Sequence, residues 1–217
     1  MSNLPFPELS PVEIRILGVL AEKQRTVPDT YPLSLNTLMS GCNQKTSRDP
    51  IMELSESDIA EALDTLRQRT LVIESSGGRV ARYAHNLDRT LQIPPQSLAV
   101  MTTLMLRGPQ TAGEIRLNSE RLHRFSDISS VEGFLNELAE RSAGALVKEL
   151  PRQPGSRENR WAHLLGGEPV VEASATNQDA VPSGSEMTRL KAEVAELRDT
   201  VSSLQAQLEH IKRELGI

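Results

Sequence analysis

The apolar positions of this chain follow one arrangement twice. In the first copy Val12, Ile16, Val19 and Leu20 share one helix face, opened by Ser10 as an N-cap and Pro11 at the first helical position. This helix is expected to fade by Thr26, before Val27-Pro28-Asp29. A short helix follows Ser34 with Leu35, Leu38 and Met39 and stops at Gly41, and residues 42–54 read as loop. A third helix starts at Ser55, with Asp58 forming a capping box, and carries Ile59, Ala62, Leu63 and Leu66 to about Arg69. The period then drops from about 3.6 to 2. Leu71 to Ser75 and Arg79 to His85 read as strands joined at Gly77-Gly78.

The same order returns downstream. Helices are expected from Pro95 to Arg107, from Thr111 to about Leu122, and from Ser129, with Glu132 completing a capping box, to Arg141. A hairpin follows over Leu146 to Leu150 and Arg157 to Leu165. Arg82-Tyr83-Ala84-His85 recurs as Arg160-Trp161-Ala162-His163, and Pro32, Ser34 and Leu38 answer to Pro109, Thr111 and Ile115. Three helices and a hairpin is the order of a winged helix. The expected fold class is therefore mainly α with small β-hairpins (α+β). Two tandem winged-helix domains span residues 1–90 and 91–165, a flexible linker rich in Gly, Pro, Ser and Ala spans 166–185, and a coiled-coil helix spans 186–217.

The coil is read from nine apolar residues at alternating spacings of three and four. Met187, Val194, Val201, Leu208 and Leu215 fall at a, and Leu190, Leu197, Leu204 and Ile211 at d. Val at a with Leu at d favours two parallel strands, and Glu186 with Lys191 and Glu193 with Arg198 are opposite in sign across a parallel pair. A parallel homodimer follows; folding back on the body and pairing with another protein's coil are the alternatives.

Charge limits what the fold is expected to do. Of the net charge of −5, residues 168–217, with 9 acids and 5 bases, carry −4. The near-neutral body gives no global pull toward nucleic acid. The single cysteine, Cys42, excludes an intrachain disulfide and fits a reducing compartment. The N-terminal stretch has neither the basic nor the apolar region of a leader, and no apolar run reaches the length of a membrane span, so a cytoplasmic protein without membrane contact is expected. Neither a phosphate-binding Gly loop nor metal-ligand spacing marks a cofactor, and no base is marked beside Cys42. The chain is expected to be non-enzymatic and to need no cofactor.

The run Val27-Pro28-Asp29-Thr30-Tyr31-Pro32-Leu33-Ser34-Leu35-Asn36, followed by Cys42-Asn43-Gln44-Lys45-Thr46-Ser47-Arg48-Asp49-Pro50, resembles the YceH family of bacterial proteins of unknown function. The resemblance covers about residues 9–165. It implies a tandem winged-helix fold and no established activity, cofactor or catalytic residue.

Two functions fit a winged-helix pair. As a DNA-binding regulatory dimer, the favoured reading, the chain would use Asn43, Gln44, Lys45 and Arg48 before the third helix, with Arg79, Arg82, Arg157 and Arg160 in the wings as phosphate contacts. Tyr83 and Trp161 either stack on a base or, the preferred reading, pack the hairpins onto their helices. As a protein–protein adaptor it would use the acidic third helices, since residues 53–69 and 127–141 each sum to −3, which repels phosphate. Clustered Lys45, Arg48, Arg79 and Arg82 would favour DNA; scattered bases and an apolar groove between the domains would favour a protein partner.

Overall fold

The computed structural model describes residues 7–75, 80–152, 156 and 158–169. Over these the chain is α+β, with seven α-helices and two small antiparallel sheets. The predicted coil, most of the predicted linker, and Arg79 and Arg157 lie outside the described residues.

Helix α1 (Pro11–Thr26) opens on a full capping box: Ser10 Oγ accepts from the Glu13 N–H at 3.2 Å, and the Glu13 carboxylate accepts from the Ser10 N–H at 2.7 Å. A single 3₁₀ turn (Pro28–Thr30) leads to strand β1 (Leu33–Ser34). Ser34 then caps α2 (Leu35–Cys42), and Ser55 with Asp58 boxes the start of α3 (Glu56–Gln68). Strands β2 (Val72–Ser75) and β3 (Arg82–His85) pair antiparallel, and β1 adds to the other edge of β3, giving the order β1-β3-β2. β1 escapes a periodicity reading because two residues show no alternation.

A short helix α4 (Leu87–Leu91), also unexpected from sequence, buries Leu87 and Leu91 and ends at Gln92 in the left-handed region (φ 52°). The second copy then runs α5 (Pro95–Arg107), α6 (Ala112–Asn118), α7 (Ile128–Ala139), β4 (Val147–Leu150) and β5 (Arg160–His163). The two halves agree in register. Leu33 pairs with Tyr83 on β3, and at the equivalent place Gln110 bridges Trp161 on β5, with backbone bonds of 3.1 and 2.7 Å.

Two expected boundaries are corrected. α7 is capped by Asp127, whose extended backbone lets its carboxylate accept from the Ser130 N–H at 2.7 Å; Ser129 lies inside the helix and is not the cap. α6 ends at Asn118, four residues short of Leu122, because the chain turns there, with the Leu122 N–H donating to the Ser119 carbonyl at 2.8 Å.

One apolar core runs through both copies. α1 and α5 pack on each other within it, and Ile16, Leu17, Leu20, Val100, Met101 and Leu104 are all buried there. Gly18 permits the approach: a Cβ there would sit 2.8 Å from Leu106 Cδ2 and 3.3 Å from Met105 Cβ. The start of the expected linker also belongs to this body. The Leu9 N–H donates to the Leu165 carbonyl at 2.8 Å, and Gly167, with φ +89°, is buried.

Candidate interaction surface

Local hydrogen bonding consumes most of the side chains that sequence offered to DNA. After α2, Asn43 closes a two-bond clip on the Leu54 backbone: Nδ2 donates to its carbonyl and Oδ1 accepts from its N–H, both at 2.8 Å. Gln44 donates to the carbonyl and hydroxyl of Thr46 at 2.9 and 3.2 Å. Both ends of the Asn43 amide and the Gln44 NH2 group are thus engaged locally, and the clip on Leu54 sets the entry to α3. Lys45 is exposed and makes no ion pair among the described residues.

Arg48 is not a surface cation. It is buried, donates from Nε to the Gly41 carbonyl at 3.1 Å, and meets both Glu22 carboxylate oxygens from its two terminal nitrogens. Burial pushes the Glu22 carboxyl up, but the bonds and charge of Arg48, with Lys23 beside it, more than offset this and hold it below its ordinary value. Arg48 is therefore withdrawn from the candidate nucleic-acid contacts.

The arginines of the two hairpins share one structural task. Arg82 donates to the carbonyls of Thr30 and Pro32, the latter at 2.8 Å. Arg160 donates to the carbonyl of Pro109, the equivalent proline, at 3.2 Å, and to both carboxylate oxygens of Glu114 at 2.9 Å. Each arginine thus ties its hairpin to the segment before the second helix of its copy. Trp161 is in the core and Tyr83 is half-buried against it, so both pack inward. His85 accepts from the Leu87 N–H at 3.3 Å and contacts Gln24 Oε1 at 2.8 Å, whereas buried Nδ1 of His163 has no hydrogen-bond partner among the described residues and burial pushes its pKa down to about 4.

What remains outward on the third helices is acidic. On α3, Glu56, Asp58, Glu61 and Asp64 are exposed, and on α7, Glu132 and Glu137. Ser55 holds the Asp58 carboxyl below its ordinary range through its hydroxyl and N–H. Leu117 on α6 and Ile128 at the start of α7 are 70% and 45% exposed, large apolar side chains left open among the described residues.

A cleft of about 350 Å³ opens between the two copies. Ile14 and Arg15 of α1, Leu104 and Met105 of α5, Pro50, Met52 and His163 line it, and its walls are chiefly apolar. Asp49 and Glu168 also line it, and both are exposed. Arg15 lies under it, 1% exposed, donating to the carbonyls of Cys42 and Pro50. Sequence did not mark this cleft, because its residues are separated in the chain and each reads as ordinary core.

Cys42 is buried, and burial pushes its thiol up to about 12 despite Arg15 and Arg48 nearby, so it holds its proton and is a poor nucleophile. Among the described residues no cluster of three or more His, Cys, Asp or Glu has the geometry of a metal site, and no helix is long and apolar enough to cross a membrane.

Known proteins match this chain over nearly its whole length. The family described as "Protein of unknown function, DUF480" matches residues 9–156. A UPF0502 protein of Dechloromonas aromatica (strain RCB) is 59% identical over 208 residues, covering 96% of this chain and 98% of that protein. UPF0502 proteins of Cupriavidus necator and Burkholderia ambifaria are 55% and 57% identical, covering 96% and 99% of this chain and 88% and 94% of those proteins. With the long run from Val27 to Pro50 inside the matched region, this chain belongs to the DUF480 (UPF0502) family of proteins of unknown function.

Proposed function

We propose that this chain is a non-catalytic tandem winged-helix adaptor, dimeric through its C-terminal coil and acting in the cytoplasm, whose inter-repeat cleft docks a protein segment. The repeated order of three helices and a hairpin supports the winged-helix reading, and the unbroken a/d pattern from Met187 to Leu215 supports the dimer. The apolar cleft lined by Ile14, Met52, Leu104 and Met105 is the observation that carries the adaptor reading. Its two acids, Asp49 and Glu168, together with the acidic third helices, suit an apolar anchor flanked by basic residues.

DNA recognition has the weaker support. A duplex would meet exposed carboxylates on α3 and α7, where binding normally gains from counterion release. Arg48, Arg82 and Arg160 already serve internal bonds, which leaves Lys45 as the described candidate with its charge unspent.

A photo-crosslinking residue at Met52 in the full-length protein, expressed in its own cells, tests the adaptor reading. The expected result is one defined protein adduct that is lost with Glu168→Lys. Anisotropy with random-sequence duplex DNA tests the other. Binding that weakens steeply with salt, and falls in Lys45→Ala, would replace the adaptor reading with the DNA one.

A further inference from the structure

On another face of the junction between the copies, a second and smaller cleft of about 180 Å³ has Glu22, Lys23, Gln44, Arg107 and Arg121 in its walls. Three cations meet in it. Lys23 and Arg107 occupy equivalent positions, each three residues after a core leucine (Leu20 and Leu104) in the last turn of the first helix of its copy. Gln44 and Arg121 are also equivalent, each six residues beyond a core residue (Leu38 and Ile115). Both copies therefore supply polar groups from matching places to one recess.

The charges do not cancel within the fold. Among the described residues Glu22 is the one acid lining the cleft, and its carboxylate is already held by Arg48 at 2.7 Å and by Lys23 at 3.0 Å. The side chains of Arg107 and Arg121 make no hydrogen bond or ion pair among the described residues. A helix C-terminus favours a cation in its last turn, which accounts for Lys23 and Arg107 taken singly. It does not account for Arg121, which lies in the turns after α6, or for the convergence of all three. Like charges gathered in a recess cost free energy unless an anion offsets them.

We infer that this cleft binds a small phosphorylated compound, with Arg107 and Arg121 as its guanidinium contacts and Lys23 as a point charge. Arginine forks match phosphate oxygens in geometry as well as charge. The recess has room for one phosphoryl group with a short attached body and is too small for a nucleic-acid helix. Because its walls come from α1 and α5 together with the loop after α2 and the turn after α6, an occupant would tie the two copies together. The site is independent of the apolar cleft and of whatever docks there.

The test is calorimetric titration of the full-length protein with inorganic pyrophosphate, at ionic strength fixed with sodium chloride. Saturable binding is expected, weakened at least tenfold in Arg107→Met and again in Arg121→Met, and unchanged in Arg89→Met, which removes an exposed cation elsewhere. Circular dichroism verifies that each variant is folded. Equal affinity in wild type and the two cleft variants overturns the site, as does heat indistinguishable from that of the matched salt. A 15-nucleotide single strand forms the second arm. If it binds through Arg107 and Arg121 while pyrophosphate does not, the ligand is a phosphodiester backbone and the small-molecule assignment is wrong.

Discussion

Arg48 and Glu22 form a two-bond ion pair, with Nη1 to Oε1 at 3.2 Å and Nη2 to Oε2 at 2.7 Å, that joins the loop after α2 to α1. The Arg48 side chain is fully covered and that of Glu22 is 17% exposed. Removing the Glu22 charge leaves the covered Arg48 guanidinium with the Gly41 and Ser47 carbonyls and no counter-charge. Glu22→Gln is expected to cost about 3 kcal/mol in urea denaturation, and the double change to Met at both positions to recover most of it. A loss under about 1 kcal/mol in Glu22→Gln would show that the pair is not a structural anchor. Its pH dependence has a definite sign. The carboxyl sits below its ordinary 4.5 in the folded chain and returns to it on unfolding, so the contribution is complete above that value and is lost as pH falls through the folded one.

The fold class was legible because the duplication disciplines the reading. Ser34 and Thr111 cap equivalent helices, and the hairpins recur with the same partners in register. The chemistry was less legible. Asn43, Arg48, Arg82 and Arg160 looked available because a sequence shows a charge or an amide but not what it touches at a separation of tens of residues. The two clefts were invisible for the same reason. One signal was present for the basic cleft: the repeat places Lys23 and Arg107 at matching positions.

The corrected cap of α7 gives a direct comparison. Asp127→Ala removes the acceptor for the Ser130 N–H and should cost about 1 kcal/mol, whereas Ser129→Ala, inside the helix, should lie within about 0.5 kcal/mol of wild type. Denaturant midpoints of the two variants decide it, and the reverse order would restore Ser129 as the cap.

His163 makes acid unfolding begin earlier than the carboxylates require. Its folded pKa lies at about 4, below the ordinary 6.5 that it regains on unfolding. The unfolded chain therefore binds the extra proton. Stability is complete above 6.5, falls as pH drops below it, and stops falling through this group near 4, a loss of about 3 kcal/mol. Urea midpoints from pH 7 to 4.5 should show this slope in the wild type and a shallower one in His163→Asn. Parallel slopes would assign the effect to other groups, of which His85, also lowered by burial, is the first to test.

Gly41 limits how closely α2 approaches α1. A Cβ at this position would lie 2.6 Å from Val19 Cγ1, and Val19 is fully buried and stiff at χ1. Gly41→Ala should destabilise by about 1–3 kcal/mol even though alanine is the better helix former. Removing the blocking methyl, Val19→Ala combined with Gly41→Ala should recover part of that loss. Additive losses in the double variant would mean that the contact does not control the site.

Arg82 and Arg160 on the two hairpins separate the two readings of the surface most cleanly. Arg160 makes a bidentate bond to Glu114, and Glu114 is also the residue whose carboxylate accepts from the Thr111 N–H at the start of α6. Removing the guanidinium loosens a helix cap and a hairpin together, so Arg160→Ala should cost about 1 kcal/mol, the upper range for a partly exposed pair. Arg160→Lys should recover little, because an ammonium cannot span both oxygens and reach the Pro109 carbonyl. Arg82, exposed and bonded only to carbonyls, should cost less than Arg160 when changed to Ala. Neither change should alter the salt dependence of any DNA binding. A salt slope that shrinks by about one in each variant, with melting temperatures unmoved, would instead make both arginines phosphate contacts. Their shared bonds to Pro32 and Pro109 would then be resting positions that a nucleic acid displaces.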